Sequence, residues 1–237
     1  MMRSIGKLFG VGVGPGNPEW LTLQAHRVLQ KVPAVAYPHS GMDRPSYALA
    51  IVDGYLDLSR QEVFGLYFPM TREEDELQRA WEAAAEAIGL RLLTGRDVAF
   101  ITEGDPLFYS TFIHIRHILS ERHPQLEVEV VPGITSMQGV AARLSLPLAV
   151  GDQTYAVVPA SRSREQMAEA LRSHSCVVFI KVAKVLDELI EALEACGLVE
   201  RAVVVIRAST AQEEVLRDVR SLKGRKLPYF SLMVVKR

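Results

Sequence analysis

The stretch that decides the fold is LFGVGVGPGNPEWLTLQ, residues 8–24. It is an apolar run carrying glycines at 10, 12, 14 and 16, and it reads as a buried strand ending in a tight loop. Asn17 stands where a helix N-cap is wanted and Pro18 at a first helical position, so the pattern predicts strand, glycine loop, helix. The loop does not have the dinucleotide spacing. G-x-G-x-x-G counted from Gly12 and Gly14 needs a third glycine at 17, where Asn17 stands. No G-x-x-x-x-G-K-[ST] phosphate loop occurs, and the second strand ends AVAYPHS without the acidic residue that would bind a ribose. A phosphate-rich cofactor is disfavoured.

Outward from this loop, short β-prone runs alternate with helix-period segments: KLFGVGV, AVAY, EVFGLYF, DVAFIT and LEVEVV. The helical stripes are Leu21, Ala25, Val28 and Val32; then Leu77, Trp81, Ala84, Ile88 and Leu92; then Phe108, Phe112, Ile115 and Leu119. Such alternation implies a mostly parallel sheet covered on both faces. After Pro147 the pattern changes to TYAVVPA, CVVFIKV, RAVVVIR, EEVLRDV and FSLMVVK, with helices around 163–173 and 184–196. RAVVVIRASTAQEEVLRDV reads as two strands around a polar turn, which brings antiparallel pairing into this half. The expectation is an α/β protein of two α/β domains, residues 1–132 with a mostly parallel sheet and 133–237 with a mixed one. A cleft between them is the expected ligand site.

Two further loops follow the pattern of the first. VAFITEGDPLFYS places Asp105 as an N-cap candidate before Pro106, and EVEVVPGITSMQG offers Thr135 or Ser136 to cap. In a parallel sheet all three share the carboxyl edge, where open α/β sheets bind ligands and where glycine lets a ligand approach the backbone. Glycine, proline and a capping residue make good turns whether or not anything binds, so it is the set of three that points to a site.

Composition bounds the alternatives. The chain has 237 residues, 49% apolar and 23% charged, with 27 Lys and Arg against 28 Asp and Glu. With no run of like charge, general attraction to nucleic acid or anionic membrane is not expected. Cys176 and Cys196 are expected to be reduced thiols of a cytoplasmic protein. The start MMRSIGKLFGVGVG lacks a signal peptide's apolar region, and no apolar stretch reaches the ~20 residues that span a bilayer.

Together GVGPGNPEWLT, TEGDPLFYS, VVPGITS, VVFIKV and RAST resemble, in order and over essentially the whole chain, the motifs of the tetrapyrrole methyltransferases. Glu103, where many relatives have glycine, together with VVPGITSMQGVAARLSLPLA and RPSYALAIV, resembles the branch acting on an early corrin precursor. Asn17 departs from the family's usual aspartate. The resemblance implies S-adenosylmethionine as methyl donor, C-20 of precorrin-2 or its cobalt counterpart as acceptor, and a homodimer. Carried onto this chain, it implies cofactor contacts at Pro15, Gly104, Asp105, Phe108, Thr135, Ser136, Ile180 and Ala208.

Methyl transfer from a sulfonium is an in-line displacement whose barrier falls chiefly through positioning, so no metal or nucleophilic triad is required. None is evident in the sequence. One base is useful for the C-20 proton, and Glu103 and Tyr109 are the candidates. Gly14, Tyr37, His39 and Lys181 are candidate substrate contacts, with Tyr47 near the same rim. Lys184, Arg44 and Arg207 are further cations for the substrate's carboxylates. His114 and His117, three apart on a helix, lack further metal ligands and read as ordinary histidines. The competing readings are a same-fold methyltransferase for another tetrapyrrole or a macromolecule, a nucleotide-binding oxidoreductase, and a non-catalytic binding protein.

Overall fold

The structure, a computed structural model, describes residues 5–41, 45–161 and 163–237. The chain divides into two compact units, Met1–Thr135 and Ser136–Arg237.

The first unit runs β1 (Leu8–Gly12), α1 (Leu23–Leu29), β2 (Ala34–His39), α2 (Tyr47–Val52), β3 (Glu62–Tyr67), α3 (Glu74–Leu92), β4 (Val98–Thr102), α4 (Phe112–Arg122) and β5 (Val128–Val131). Its five strands are ordered β3-β2-β4-β1-β5 and every neighbouring pair is parallel. Side chains alternate between the faces, as the pleat requires. Leu8, Ala34, Ala36, Val98 and Phe100 pack under α3 and α4, with Ile88, Leu92, Phe112, Ile115 and Leu119. Val11, Val35, Ala99 and Ile101 pack under α1 and α2, with Ala25, Leu29, Ala48 and Ile51. Glu62 fastens the edge strand: its carboxylate takes Arg91 Nε at 3.0 Å and Arg96 Nη1 at 2.6 Å, while the Arg91 guanidinium lies 3.6 Å from the Phe64 ring centre.

The second unit runs α5 (Ser136–Leu144), β6 (Tyr155–Pro159), α6 (Arg164–Ser173), β7 (Cys176–Ile180), α7 (Leu186–Ala195), β8 (Ala202–Ile206), β9 (Glu214–Leu216) and β10 (Ser231–Lys236). The order is β6-β7-β10-β8-β9; β6 and β7 are parallel, and the other pairs antiparallel. The hairpin expected from RAVVVIRASTAQEEVLRDV is present, with Ile206 opposite Glu214. α6 and α7 cover one face through Met167, Leu171, Leu189 and Leu193. α5 covers the other through Met137 and Val140.

Three local expectations are corrected. Asn17 caps a single 3-10 turn, Pro18–Trp20, by accepting Glu19 N–H at 2.9 Å; the α-helix starts later, capped by Thr22. Asp105 starts no helix. The left-handed backbone at Tyr109 (φ +54) interrupts the run, α4 begins only at Phe112, and Phe108 lies outside it. CVVFIKV is a strand only to Ile180, because Lys181 takes φ +60 and breaks the ladder.

Candidate active site

In the first unit the loops after β1, β4 and β5 meet at the carboxyl edge of the parallel sheet. They touch backbone to backbone. A Cβ on Gly12 would lie 2.5 Å from the Gly104 oxygen and 2.6 Å from the Gly133 nitrogen, and one on Gly133 would lie 2.0 Å from the Gly104 oxygen. Gly104 N–H donates to the Gly14 oxygen at 2.9 Å. Asp105 closes the arrangement: Oδ1 accepts Leu107 N–H at 2.9 Å and Oδ2 accepts Gly133 N–H at 3.1 Å. The alternating glycines of the opening stretch thus have separate causes. Gly10 leaves room for the Phe112 ring, whose nearest carbon would be 2.3 Å from an added Cβ; Gly12 leaves room for the other loops.

Gly104 differs from both. It has φ +67, and an added Cβ would meet nothing nearer than the Thr135 Cα at 3.8 Å. The backbone there faces unfilled space, as expected where a ligand approaches it. Pro15 is buried in the first loop, while Thr135 and Ser136 are partly exposed at the third. Phe108 and Tyr109 are exposed after the second, their rings edge-to-face at 4.7 Å.

Glu103 immediately precedes Gly104. Desolvation pushes its carboxyl pKa up, and the N–H groups of Glu103 itself and of Ala48 at the start of α2 only partly counter this. A raised carboxyl holds a proton more tightly and is therefore a better base once ionised.

Along the same edge Tyr37, His39 and Tyr67 form a row with successive ring centres 6.3 and 5.9 Å apart. The register sets Tyr37 against Gly65 and His39 against Tyr67. A Cβ at Gly65 would lie 3.1 Å from both the Tyr37 hydroxyl and His39 Nε2, so the row depends on that glycine. Sequence reasoning singled out Tyr37 and His39 and missed Tyr67 and Gly65. Only the register across the strands reveals them.

In the second unit β6, β7 and β8 end at one edge. Ile180 and Ala208, 28 residues apart in the chain, come together in the cluster under α5. Lys181 and Arg207, directly after β7 and β8, and Ser209 all have left-handed backbone, φ +60, +46 and +65. Strain of this kind in non-glycine residues gathers at functional loops. Lys184 is exposed on a 3-10 turn, Val182–Lys184. Arg44 lies outside the described residues.

The helical histidines take other roles. His114 stacks flat on Trp81 with ring centres 3.7 Å apart, and desolvation there lowers its pKa. His117 Nε2 lies 3.3 Å from Glu121. Among the described residues, no three His, Cys, Asp or Glu side chains gather as metal ligands. No helix among them is long and apolar enough to cross a membrane.

A five-stranded parallel sheet with glycine loops at its carboxyl edge, followed by a mixed sheet with strained loops after β7 and β8, defines an α/β protein of two sheets. Residues 7–222 match the model of the tetrapyrrole (corrin/porphyrin) methylases, and the chain belongs to that family. It is 36% identical to a precorrin-2 C(20)-methyltransferase of a Sinorhizobium species, over 98% of this chain and 95% of that protein. It is 33% identical to the cobalt-precorrin-2 C(20)-methyltransferase of Salmonella typhimurium, over 97% and 96% respectively. Among solved structures, a cobalt precorrin-4 methyltransferase superposes with a TM-score of 0.75 at 19% identity, covering 97% of this chain and 94% of that one. A uroporphyrin-III C-methyltransferase of Thermus thermophilus complexed with S-adenosylhomocysteine superposes with a TM-score of 0.68 at 23% identity, covering 98% of each chain.

Proposed function

We propose that this chain transfers a methyl group from S-adenosylmethionine to the C-20 meso carbon of precorrin-2 or cobalt-precorrin-2 in cobalamin biosynthesis. The observation that carries the reading is the near end-to-end match, at 36% identity, to a relative named for that reaction. The local chemistry agrees with it. In the first unit Gly104 presents open backbone beside Thr135, and in the second Ser136 and Ala208 have short side chains; each set suits close approach of a cofactor. Pro15, Asp105, Phe108 and Ile180 complete the proposed cofactor contacts. S-adenosylmethionine supplies an electrophilic methyl group whose transfer leaves a neutral thioether.

The chain's own residues then have limited chemistry to perform. The row of Tyr37, His39 and Tyr67, with Gly14, offers a face to a flat macrocycle. Lys181, Lys184 and Arg207 offer cations to its carboxylates. As the new carbon–carbon bond forms, the C-20 proton must leave, and Glu103 is the proposed acceptor, with Tyr109 beside it. Orientation of the ring over the methyl donor contributes more to the rate than this base does. The enzyme is proposed to be a cytoplasmic homodimer acting on a small molecule.

The test is incubation of the purified chain with methyl-labelled S-adenosylmethionine and either precorrin-2 or its cobalt complex. Label at C-20 of one of them is expected. Cofactor binding without label in either would overturn the C-20 assignment, and the relative rates decide whether the metal is already present in the substrate.

A further inference from the structure

We infer that Glu213 is a positioning residue for the loop after β8, fixing the peptide that follows Ala208; this rests on the proposed contact between Ala208 and the cofactor. Arg207–Ala208–Ser209 is an awkward segment. Both residues flanking Ala208 have left-handed backbone, which side-chain-bearing residues adopt only when held. Arg207 is held by its N–H to the Phe230 oxygen at 2.7 Å, and by the Thr210 hydroxyl donating to its own carbonyl at 2.8 Å. Ser209 is held by Glu213, whose Oε2 accepts the Ser209 N–H at 2.6 Å.

The same carboxylate reaches across to α5. Arg143 Nε, in that helix's last turn, lies 2.9 Å from Glu213 Oε1 and 3.2 Å from Oε2. The Glu213 side chain is only 10% exposed, so the pair is shielded from solvent on the glutamate side. α5 begins at Ser136 and packs Met137 and Val140 into the cluster that contains Ala208. One carboxylate therefore sets the distance between two segments proposed to hold the cofactor. Removing it takes this acceptor from Ser209 and the anion from Arg143, and lets Ala208 move relative to α5.

The experiment is calorimetric titration of the full chain with S-adenosylhomocysteine, beside the KM for the tetrapyrrole and the Tm without ligand. Glu213→Ala is expected to raise the Kd about tenfold, with the tetrapyrrole KM within about twofold of wild type. Glu213→Gln keeps an acceptor for Ser209 and is expected to restore most of that affinity, which a loss of general stability would not do. Should Glu213→Ala fail to fold, Arg143→Ala gives the reading instead: a Kd raised about threefold supports the inference and a wild-type Kd overturns it. Wild-type affinity in Glu213→Ala also overturns it, as does equal weakening in the Ala and Gln variants that merely tracks their Tm. If the wild-type chain binds no S-adenosylhomocysteine, the proposed function falls and this inference with it. A binding wild type with an equally tight variant removes only the inference.

Discussion

Glu103 is the residue whose chemistry is most exposed to test. Its raised pKa has a defined sign in folding. The unfolded chain releases that proton near 4.5, the ordinary glutamate value, and the folded chain releases it at higher pH. Its stabilising contribution is therefore complete below 4.5 and is lost as pH rises through the folded value. Glu103→Gln is expected to flatten the dependence of Tm on pH between 4.5 and the raised folded value, and to lower kcat about 10²-fold with little change in either KM. A kcat within twofold of wild type would take the proton-acceptor role from Glu103. Asp105 carries a different lesson. In the sequence it stands as a helix cap and as a proposed cofactor contact; it caps no helix, and its two oxygens accept the Leu107 and Gly133 N–H groups and tie loops together. Nothing in the string GDP distinguishes these roles, because the partner at 133 is brought near only by folding.

At the scale of elements, the strands were legible as short apolar, β-prone runs buried on both faces, and the long helices because their burial follows a period of 3.6. α3 carries Ala84, Ile88 and Leu92 on its buried side, as its stripe predicts. What stayed hidden were short elements and endings. α2 has six residues, too few to show a period. The end of β7 and the delayed start of α4 depend on left-handed residues, Lys181 and Tyr109, whose side chains do not announce that backbone. Two glycine substitutions test the loop cluster. Gly12→Ala drives a carbon into the Gly104 oxygen and Gly133 backbone, and is expected to cost about 3 kcal/mol in urea unfolding. Gly54→Ala, with nothing within 4 Å of the new carbon, is expected to stay within about 0.5 kcal/mol of wild type. Equal effects would show that the loop contact is not what Gly12 provides.

For the whole molecule, two sheets of five strands carry their proposed site residues at strand ends: the first at its carboxyl edge through Gly14 and Gly104, the second where β7 and β8 end, through Ile180 and Ala208. The family was readable from the ordered motifs, through their resemblance to those of its members. Substrate contacts were less so, because cations and aromatics are common at any surface and only the cross-strand register gathers Tyr37, His39 and Tyr67 into a row. Binding must also register as stability. S-adenosylhomocysteine at 100 times its Kd is expected to add about 2.7 kcal/mol, or roughly 8 °C in Tm, by differential scanning calorimetry. A transition unmoved by saturating ligand would contradict the cofactor assignment. Sedimentation at micromolar concentration is expected to give a dimer, and a monomer there would remove that proposal.

The mutual contact of Gly12, Gly104 and Gly133 also bears on descent. Gly12 and Gly133 cannot gain a side chain unless the facing backbone moves, so drift at either position is constrained by loops far away in sequence. That constraint comes from closure of the sheet edge, and it would persist in a descendant that had stopped methylating anything. The glycines are accordingly a marker of ancestry. The proposed cofactor site depends instead on the open backbone at Gly104, which no facing loop fills.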